Sequence, residues 1–236
     1  MVKLYKLSSE QLSQQKHYDF GMRAVKSVLE MAGRLKRNEP DAKEENLLIR
    51  AMKDANIPKF LKEDLPLFNA LIQDLFPDID LPDTDNTELI EAVNEILANK
   101  GLQVVDEQNK KIVQMFETIN VRFGSMVVGE AMIGKSVLLN VLKEAMTLLR
   151  VEKNSPDTRM QSVYNITINP KSITMGELYG EENPITKDWF DGLASHYIRE
   201  ATNCEDKVNY RWVTFDGPVD PLWIENMNSV LDDSRL

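Results

Sequence analysis

The sequence predicts a protein of two parts, an all-α region over residues 1–100 and a mixed α/β region over residues 101–236. The first observation is the placement of glycine, because two of the ten glycines lie before residue 100 and eight follow it. Glycine destabilises a helix interior by about 1 kcal/mol, whereas turns beside strands need it. The second is the spacing of apolar residues, which is helical before residue 100 and alternates between strand and helix patterns after it.

Four apolar stripes predict four helices in the first region, and flanking residues mark their ends. We expect Asp19 to cap the first helix, Pro58 to stop the second, and Asp85 with Glu88 to form a capping box before the fourth, which ends at Gly101. Pro66 suits the first turn of the third helix. The stripes are Met22, Val25, Leu29, Ala32 and Leu35; Leu47, Leu48, Ala51, Met52 and Ala55; Phe68, Leu71, Ile72 and Leu75; and Leu89, Ile90, Val93, Ile96 and Leu97.

After Gly101 the order of patterns predicts helices packed on a parallel sheet. A helix carries Ile112, Val113, Phe116 and Ile119 on one face, and another is expected over residues 135–149. Strands are expected over residues 123–128, 163–168 and 211–215. Strands that alternate with helices along the chain are typical of α/β proteins with a parallel sheet.

Composition excludes several classes of function. The formal net charge is −10, which would repel a phosphate backbone, so we expect no nucleic-acid partner. Cys204 is the only cysteine, so no internal disulfide can form, and a reducing compartment is expected. No apolar run approaches the roughly 20 residues that span a bilayer, and the first residues turn polar too early for a signal peptide. These features predict a soluble protein with no membrane partner.

One motif predicts a nucleotide site. Residues 129–136 match the pattern G-x-x-x-x-G-K-[ST] completely, and they are Gly129, Glu130, Ala131, Met132, Ile133, Gly134, Lys135 and Ser136. The glycines let backbone N–H groups curl around a phosphate, Lys135 places an ammonium on the outer phosphates, and the Ser136 hydroxyl can ligate Mg²⁺. A strand pattern before the loop and a helix pattern after it favour ATP or GTP binding over an ordinary glycine turn with a solvated lysine.

A second strand supplies an acid for the same site. Asp216 follows the strand expected over residues 211–215 and is expected to hold Mg²⁺, although it could simply begin an Asp-Gly-Pro turn. Many hydrolytic ATPases place a glutamate directly after this aspartate to activate water. Here the next residue is Gly217, which has no side chain to accept a proton. Asp220 or Glu225 could substitute, but the prolines around Asp220 make this the weaker hypothesis.

Longer strings resemble a known family. NPKSITMGELYG (residues 169–180) and FDGPVDPLWIENMN (residues 215–228) are similar to the second AAA+ module of a dynein heavy chain of axonemal type. YDFGMRAVKSVL (residues 18–29) resembles the end of the first AAA+ module of that motor. The resemblance implies that residues 1–100 are the helical lid of the preceding module. It also implies that residues 101–236 are a C-terminally incomplete α/β P-loop AAA+ core.

The resemblance carries further expectations. Arg23 falls on the sensor-II position, which faces a nucleotide in the preceding module, although its spacing also fits an ordinary exposed arginine. The second module in this family is thought to bind ATP and Mg²⁺ with little or no hydrolysis, as a structural or regulatory site. Partners would be neighbouring AAA+ modules, microtubules through other regions, and intermediate and light chains. Localisation would be the cytoplasm and cytoskeleton, with the cilium or flagellum axoneme favoured.

The chain also departs from the family pattern. It ends in Asp232-Asp233-Ser234-Arg235-Leu236, where the family usually continues D-D-N-K, and it has no sensor-I strand or second lid. Two alternatives remain open beside the resemblance. One is an independent P-loop ATPase with an unconventional catalytic base, and the other is a scaffold with a vestigial loop.

Overall fold

The computed structural model describes residues 1–38, 40–77, 86–121, 124–157, 159–204 and 209–228. The chain divides into two compact units. The helical unit comprises residues 1–85 and 113–126, and the α/β unit comprises residues 86–112 and 127–236. The sequence predicts a domain boundary after residue 100. That domain boundary stays a prediction.

The described ranges confirm the α/β class with a large helical part. The helices are α1 (Val2–Gln11), α2 (Met22–Asn38), α3 (Glu44–Asn56), α4 (Leu65–Leu75), α5 (Thr87–Asn99), α6 (Asp106–Val121), α7 (Lys135–Val151), α8 (Met175–Tyr179), α9 (Leu193–Asn203) and α10 (Pro221–Ile224). The strands are β1 (Val163–Ile168), β2 (Gly180–Glu182), β3 (Trp189–Asp191) and β4 (Tyr210–Phe215).

Helices α1 to α4 bury one apolar core in the helical unit. The face of α2 that enters this core is displaced from the predicted stripe, since Met22 is 83% exposed and Leu29 is 52% exposed. The spacing of 3.6 residues per turn is right, but packing against α3 selects a neighbouring face. The core residues are Leu4, Tyr5, Leu12, Ala24, Val28, Met31, Ile49, Ala51, Met52, Ala55, Phe60, Phe68, Leu71 and Ile72.

The predicted helix ends are partly confirmed. Helix α3 ends at Asn56 before Pro58, and α5 is followed by Gly101, whose φ is +66°. The Asp19 carboxylate accepts the N–H of Gly21 at 2.9 Å, so it caps the turn directly before α2, which begins three residues after Asp19. Asp85 of the expected capping box lies outside the described residues, and α5 begins after Asn86 without a side-chain cap.

The Asp64 carboxylate links the segment between α1 and α2 to the segment before α4 in the helical unit. Asp64 lies at the start of α4 and accepts the hydroxyl and the N–H of Ser13, the latter at 3.1 Å. It also accepts the Tyr18 hydroxyl at 2.7 Å, and the Leu61 N–H donates to that same hydroxyl oxygen at 2.8 Å. The hydrogen bonds from Ser13 and then Tyr18 lower the pKa of Asp64, while desolvation and then Asp64 raise the pKa of Tyr18.

The α/β unit contains the predicted parallel pair of strands. Strand β1 has the predicted bounds, and β4 begins one residue before its predicted start. The two strands pair in parallel from Val163 beside Tyr210 to Ile168 beside Phe215. One face of this pair packs on α8, α9 and α10 around a core formed by Ile168, Leu178, Ala194, Trp223 and Met227.

The strand predicted over residues 123–128 does not form. Phe123 lies outside the described residues, and residues 124–128 are not a strand. Met126 is 65% exposed and Val128 is 82% exposed. An isolated strand leaves its backbone groups without partners, and in the part of the chain that the structure describes β1 and β4 pair only with each other.

Two further features were not predicted. Strands β2 and β3 form a short antiparallel hairpin that exposes Trp189 and Phe190. Helix α8 begins with a capping box in which Thr174 and Glu177 exchange hydrogen bonds, and this Thr-x-x-Glu spacing is visible in the sequence. In the described ranges no helix combines the length and apolar character that a membrane span requires.

Acidification is expected to loosen the Asp64 network. Because the pKa of folded Asp64 lies below its ordinary value of about 3.9, ionised Asp64 stabilises the helical unit above that pH, and the stabilisation disappears as pH falls through the lowered pKa. The hydrogen-exchange protection of the Leu61 amide, measured between about pH 6 and about pH 3, should therefore fall below about pH 4.

The matched variants are Asp64→Asn and, on the exposed loop before α3, Asp41→Asn. The first should show low protection of Leu61 at every pH, and the second should behave as the unsubstituted chain. Protection that stays constant to about pH 3 would contradict this role of Asp64.

Candidate nucleotide-binding site

The phosphate loop runs into α7, whose first two residues are Lys135 and Ser136. Gly134 is the N-cap residue and has a φ of +95°, a left-handed conformation that glycine adopts without steric cost. The first N–H groups of a helix have no partner within that helix and carry its positive dipole end. The loop therefore presents backbone donors and a favourable field to an anion.

The Lys135 ammonium is held by the loop itself. Its Nζ donates to the carbonyl oxygens of Gly129 at 2.8 Å and Glu130 at 2.6 Å. The ammonium is thus folded back against the first two residues of the loop. The structure brings these three predicted residues into contact. Phosphate oxygens placed against the loop would compete with two carbonyl oxygens for this ammonium.

Packing of α7 sets the position of the loop within the α/β unit. Val141, Leu142, Ala145, Met146 and Leu149 are buried along one face of α7. Two ion pairs connect this part of the chain to α5 and its C-terminal end. One involves Glu144 within α7, and the other involves Lys153, two residues after α7 ends. Lys100 Nζ lies 2.8 Å from Glu144 Oε1, and Lys153 Nζ lies 2.7 Å from Glu95 Oε2. A rigid support of this kind holds a binding loop in one conformation.

The sheet is attached to the same helix and carries the predicted acid. The N–H of Val163, the first residue of β1, donates to the Thr147 hydroxyl of α7 at 3.2 Å. Asp216 follows β4 directly, and its backbone N–H donates to the Ile168 carbonyl at 2.9 Å. Its carboxylate is exposed at the carboxyl edge of the parallel pair. In open α/β sheets ligands bind outside this edge.

The residue types fit Mg²⁺ that arrives with phosphates. Ser136 is the second residue of α7 and is exposed, as is Asp216. Among the described residues no group of three His, Cys, Asp or Glu side chains could hold a metal alone. Mg²⁺ commonly takes one or two protein oxygens and completes its shell with phosphate and water. Magnesium binding by Ser136 and Asp216 remains a prediction.

The two substitutes for a catalytic glutamate have different surroundings. Asp220 caps α10 by accepting the N–H of Leu222 at 3.0 Å, and it forms an ion pair with Lys171. The hydrogen bond from Lys171 and then that from Leu222 lower the pKa of Asp220. Glu225 begins the short 3-10 turn after α10 and is exposed.

Arg23 lies in the helical unit. It is the second residue of α2, its side chain is exposed, and it forms no ion pair with another described residue. The loop and Asp216 belong to the α/β unit. A role at a sensor-II position stays a prediction for Arg23.

Sequence reasoning did not identify the turn that follows β1 as a neighbour of Gly217 and Asp220. Asn169 and Pro170 lie against Gly217, and Lys171 pairs with Asp220. These contacts join residues almost fifty positions apart, which is beyond the reach of motif spacing. Parallel pairing of β1 and β4 was the available signal, because it brings the two following turns to one edge.

Comparisons with known proteins agree on one family. A family model described as the hydrolytic ATP binding site of the dynein motor region matches residues 1–136. Human dynein axonemal heavy chain 1 is 49% identical over 231 residues, which are 98% of this chain and 5% of that protein. Human dynein axonemal heavy chain 6 is 48% identical over the whole chain, which covers 6% of it. Mouse dynein axonemal heavy chain 12 is 47% identical over the whole chain, which covers 8% of it.

The resemblance drawn from the residue strings is thereby confirmed. The chain spans 5% to 8% of the length of these three relatives, so activities of their remaining parts do not transfer directly. The family model covers more than half of the chain and includes the phosphate loop through Ser136. The chain therefore belongs to the dynein heavy chain family, in the ATP-binding AAA+ part of its motor region.

Proposed function

We propose that the loop of residues 129–136 binds ATP with Mg²⁺ and retains it with little or no hydrolysis, as a structural or regulatory site. The observation that carries the proposal is the pairing of a complete phosphate loop with Gly217 after Asp216. The loop supplies phosphate ligands, while the position that usually carries the catalytic glutamate lacks a side chain.

The family description names a hydrolytic ATP site, but its match ends at Ser136. Asp216 and Gly217 lie outside the matched residues. The description thus supports ATP binding by the loop and leaves the water-activating position untested. A non-hydrolytic site remains our proposal, supported by the side chains that follow β4.

An independent ATPase would need another base, and the surroundings of Asp220 disfavour it. Asp220 accepts hydrogen bonds from Lys171 and from the Leu222 backbone. Both donors hold its carboxylate in the ionised form and lower its pKa, which weakens it as a proton acceptor. Among the described residues none donates a hydrogen bond to the Glu225 side chain, but Glu225 is exposed and lies five residues beyond Asp220.

We further propose that the chain acts within a larger motor ring. In that setting ATP would clamp this module against its neighbours, and Arg23 would face the nucleotide of the preceding module. Placement in an axoneme is supported by the names of the relatives, which are axonemal dynein heavy chains. Contribution to microtubule-based motility and contacts with intermediate and light chains are part of the same proposal. We assign the microtubule contact to regions that this chain does not cover.

Replacing Lys135 tests nucleotide binding. With Mg-ATP at about 100 times its Kd, binding stabilises the folded state by about 2.7 kcal/mol and raises Tm by about 5–10 °C. Lys135→Ala should abolish this shift, because the loop loses its only ammonium. Lys143→Ala, on the same helix but two turns from the loop, is the matched control and should keep the shift. Absence of any shift in the unsubstituted chain would favour the vestigial-loop alternative.

Replacing Asp220 tests the alternative of an independent ATPase. Asp220→Asn preserves a good helix N-cap and removes the negative charge. We expect Asp220→Asn to bind Mg-ATP as the unsubstituted chain does. Phosphate release by either protein should be no greater than that of Lys135→Ala. Glu225→Ala should give the same result. Sustained phosphate release that either substitution abolishes would instead identify a catalytic base and contradict the proposal.

A further inference from the structure

The turn of residues 169–171, called the β1 turn here, follows β1 and reaches the end of β4. Asp216 is placed beside β1 by its hydrogen bond to Ile168, so the next residue, Gly217, lies against this turn. The β1 turn therefore contacts the residues from which a carboxylate could act on water next to the Mg²⁺ position of the proposed function.

Space for a side chain at Gly217 is tight. A Cβ atom added there would lie 3.1 Å from Pro170 Cδ, 3.2 Å from Asn169 Oδ1 and 3.4 Å from Pro170 Cγ. The first two distances are shorter than ordinary van der Waals contact. Pro170 is buried and its ring is rigid, which limits its movement.

The neighbouring amide is also held in place. Asn169 Oδ1 accepts the N–H of Lys171 at 3.0 Å, and the Asn169 carbonyl accepts the hydroxyl of Ser172 at 2.8 Å. Turning the amide away from Gly217 would break the first of these bonds. Neither the Pro170 ring nor the hydrogen-bonded Asn169 amide can therefore move easily away from a Cβ atom at position 217.

The same turn engages the other carboxylate. Lys171 Nζ contacts Asp220 Oδ2, while Asp220 Oδ1 accepts the N–H of Leu222. Both oxygens of this carboxylate thus have a donor, and its charge has a partner. A base for hydrolysis must take one proton from water as the water oxygen bonds to the γ-phosphorus and the bond to the β–γ bridging oxygen breaks. The contacts of Asp220 leave it poorly placed for that step.

We propose that the β1 turn is a determinant of the non-hydrolytic character of this site, through steric exclusion at Gly217 and ion pairing at Asp220. The inference rests on the proposed function, because it assumes that the site binds ATP. The contacts of residues 169–171 with residues 217 and 220 can be tested separately. A glutamate introduced at position 217 alone would then not restore a catalytic base, because its Cβ and the β1 turn compete for one space.

A double-mutant cycle on the 236-residue chain tests the steric part. Gly217→Ala should lower Tm by about 2–12 °C through overpacking. The loss caused by Gly217→Ala should be smaller in an Asn169→Ala background, since one of the two obstructing groups is gone. Gly33→Ala in α2 is the control, because among the described residues its added Cβ would meet only Arg37 Nη1, at 3.7 Å, and should not lower Tm. Equal effects of Gly217→Ala and Gly33→Ala, or strict additivity with Asn169→Ala, would overturn the inference.

Mg-ATP binding and phosphate release test the functional part. Gly217→Glu with an intact β1 turn should release phosphate no faster than Lys135→Ala, and sustained turnover by it would overturn the inference. Lys171→Met should keep Mg-ATP binding, whereas loss of binding would assign Lys171 to a phosphate and also overturn it. If the unsubstituted chain does not bind Mg-ATP, the proposed function fails, while the melting-temperature cycle still decides the steric claim.

Discussion

The attachment of α7 to α5 and β1 is the constraint on which the site depends. Its buried face packs inside the α/β unit, two ion pairs link it and the turn after it to α5, and the Thr147 hydroxyl holds the first backbone amide of β1. The phosphate loop needs this support, because its own residues are largely exposed. Exposed ion pairs of this kind are individually weak, so apolar burial supplies most of the attachment.

Helix α7 also connects the phosphate loop, through β1 and β4, to Asp216. Thr147 contacts the start of β1, and parallel pairing carries β4 alongside β1 until Asp216 bonds to Ile168. The resulting edge holds one exposed carboxylate at Asp216, a second one paired with Lys171, and a glycine pressed against Asn169 and Pro170. The exposed acid at Asp216 and the close contact at Gly217 thus lie at the end of one pair of strands.

Local patterns in the sequence were sufficient for much of this arrangement. The bounds of β1, the start of α7 and the phosphate loop were all predictable, because each depends on residues within a few positions of one another. Strand formation by residues 124–128 was wrongly predicted, since it depends on a neighbouring strand that local patterns do not reveal. The exposed face of α2 and the contact of Asn169 with Gly217 likewise depend on tertiary packing.

Phosphorus NMR of the chain mixed with an equal amount of Mg-ATP tests the central claim most directly. Shifted or broadened resonances from all three phosphates, persisting for hours, are the predicted result, because the loop binds the triphosphate and nothing activates water. Conversion of these resonances into those of ADP and inorganic phosphate would show a hydrolytic site. Three resonances identical to those of Mg-ATP in buffer would show that the loop does not hold the nucleotide.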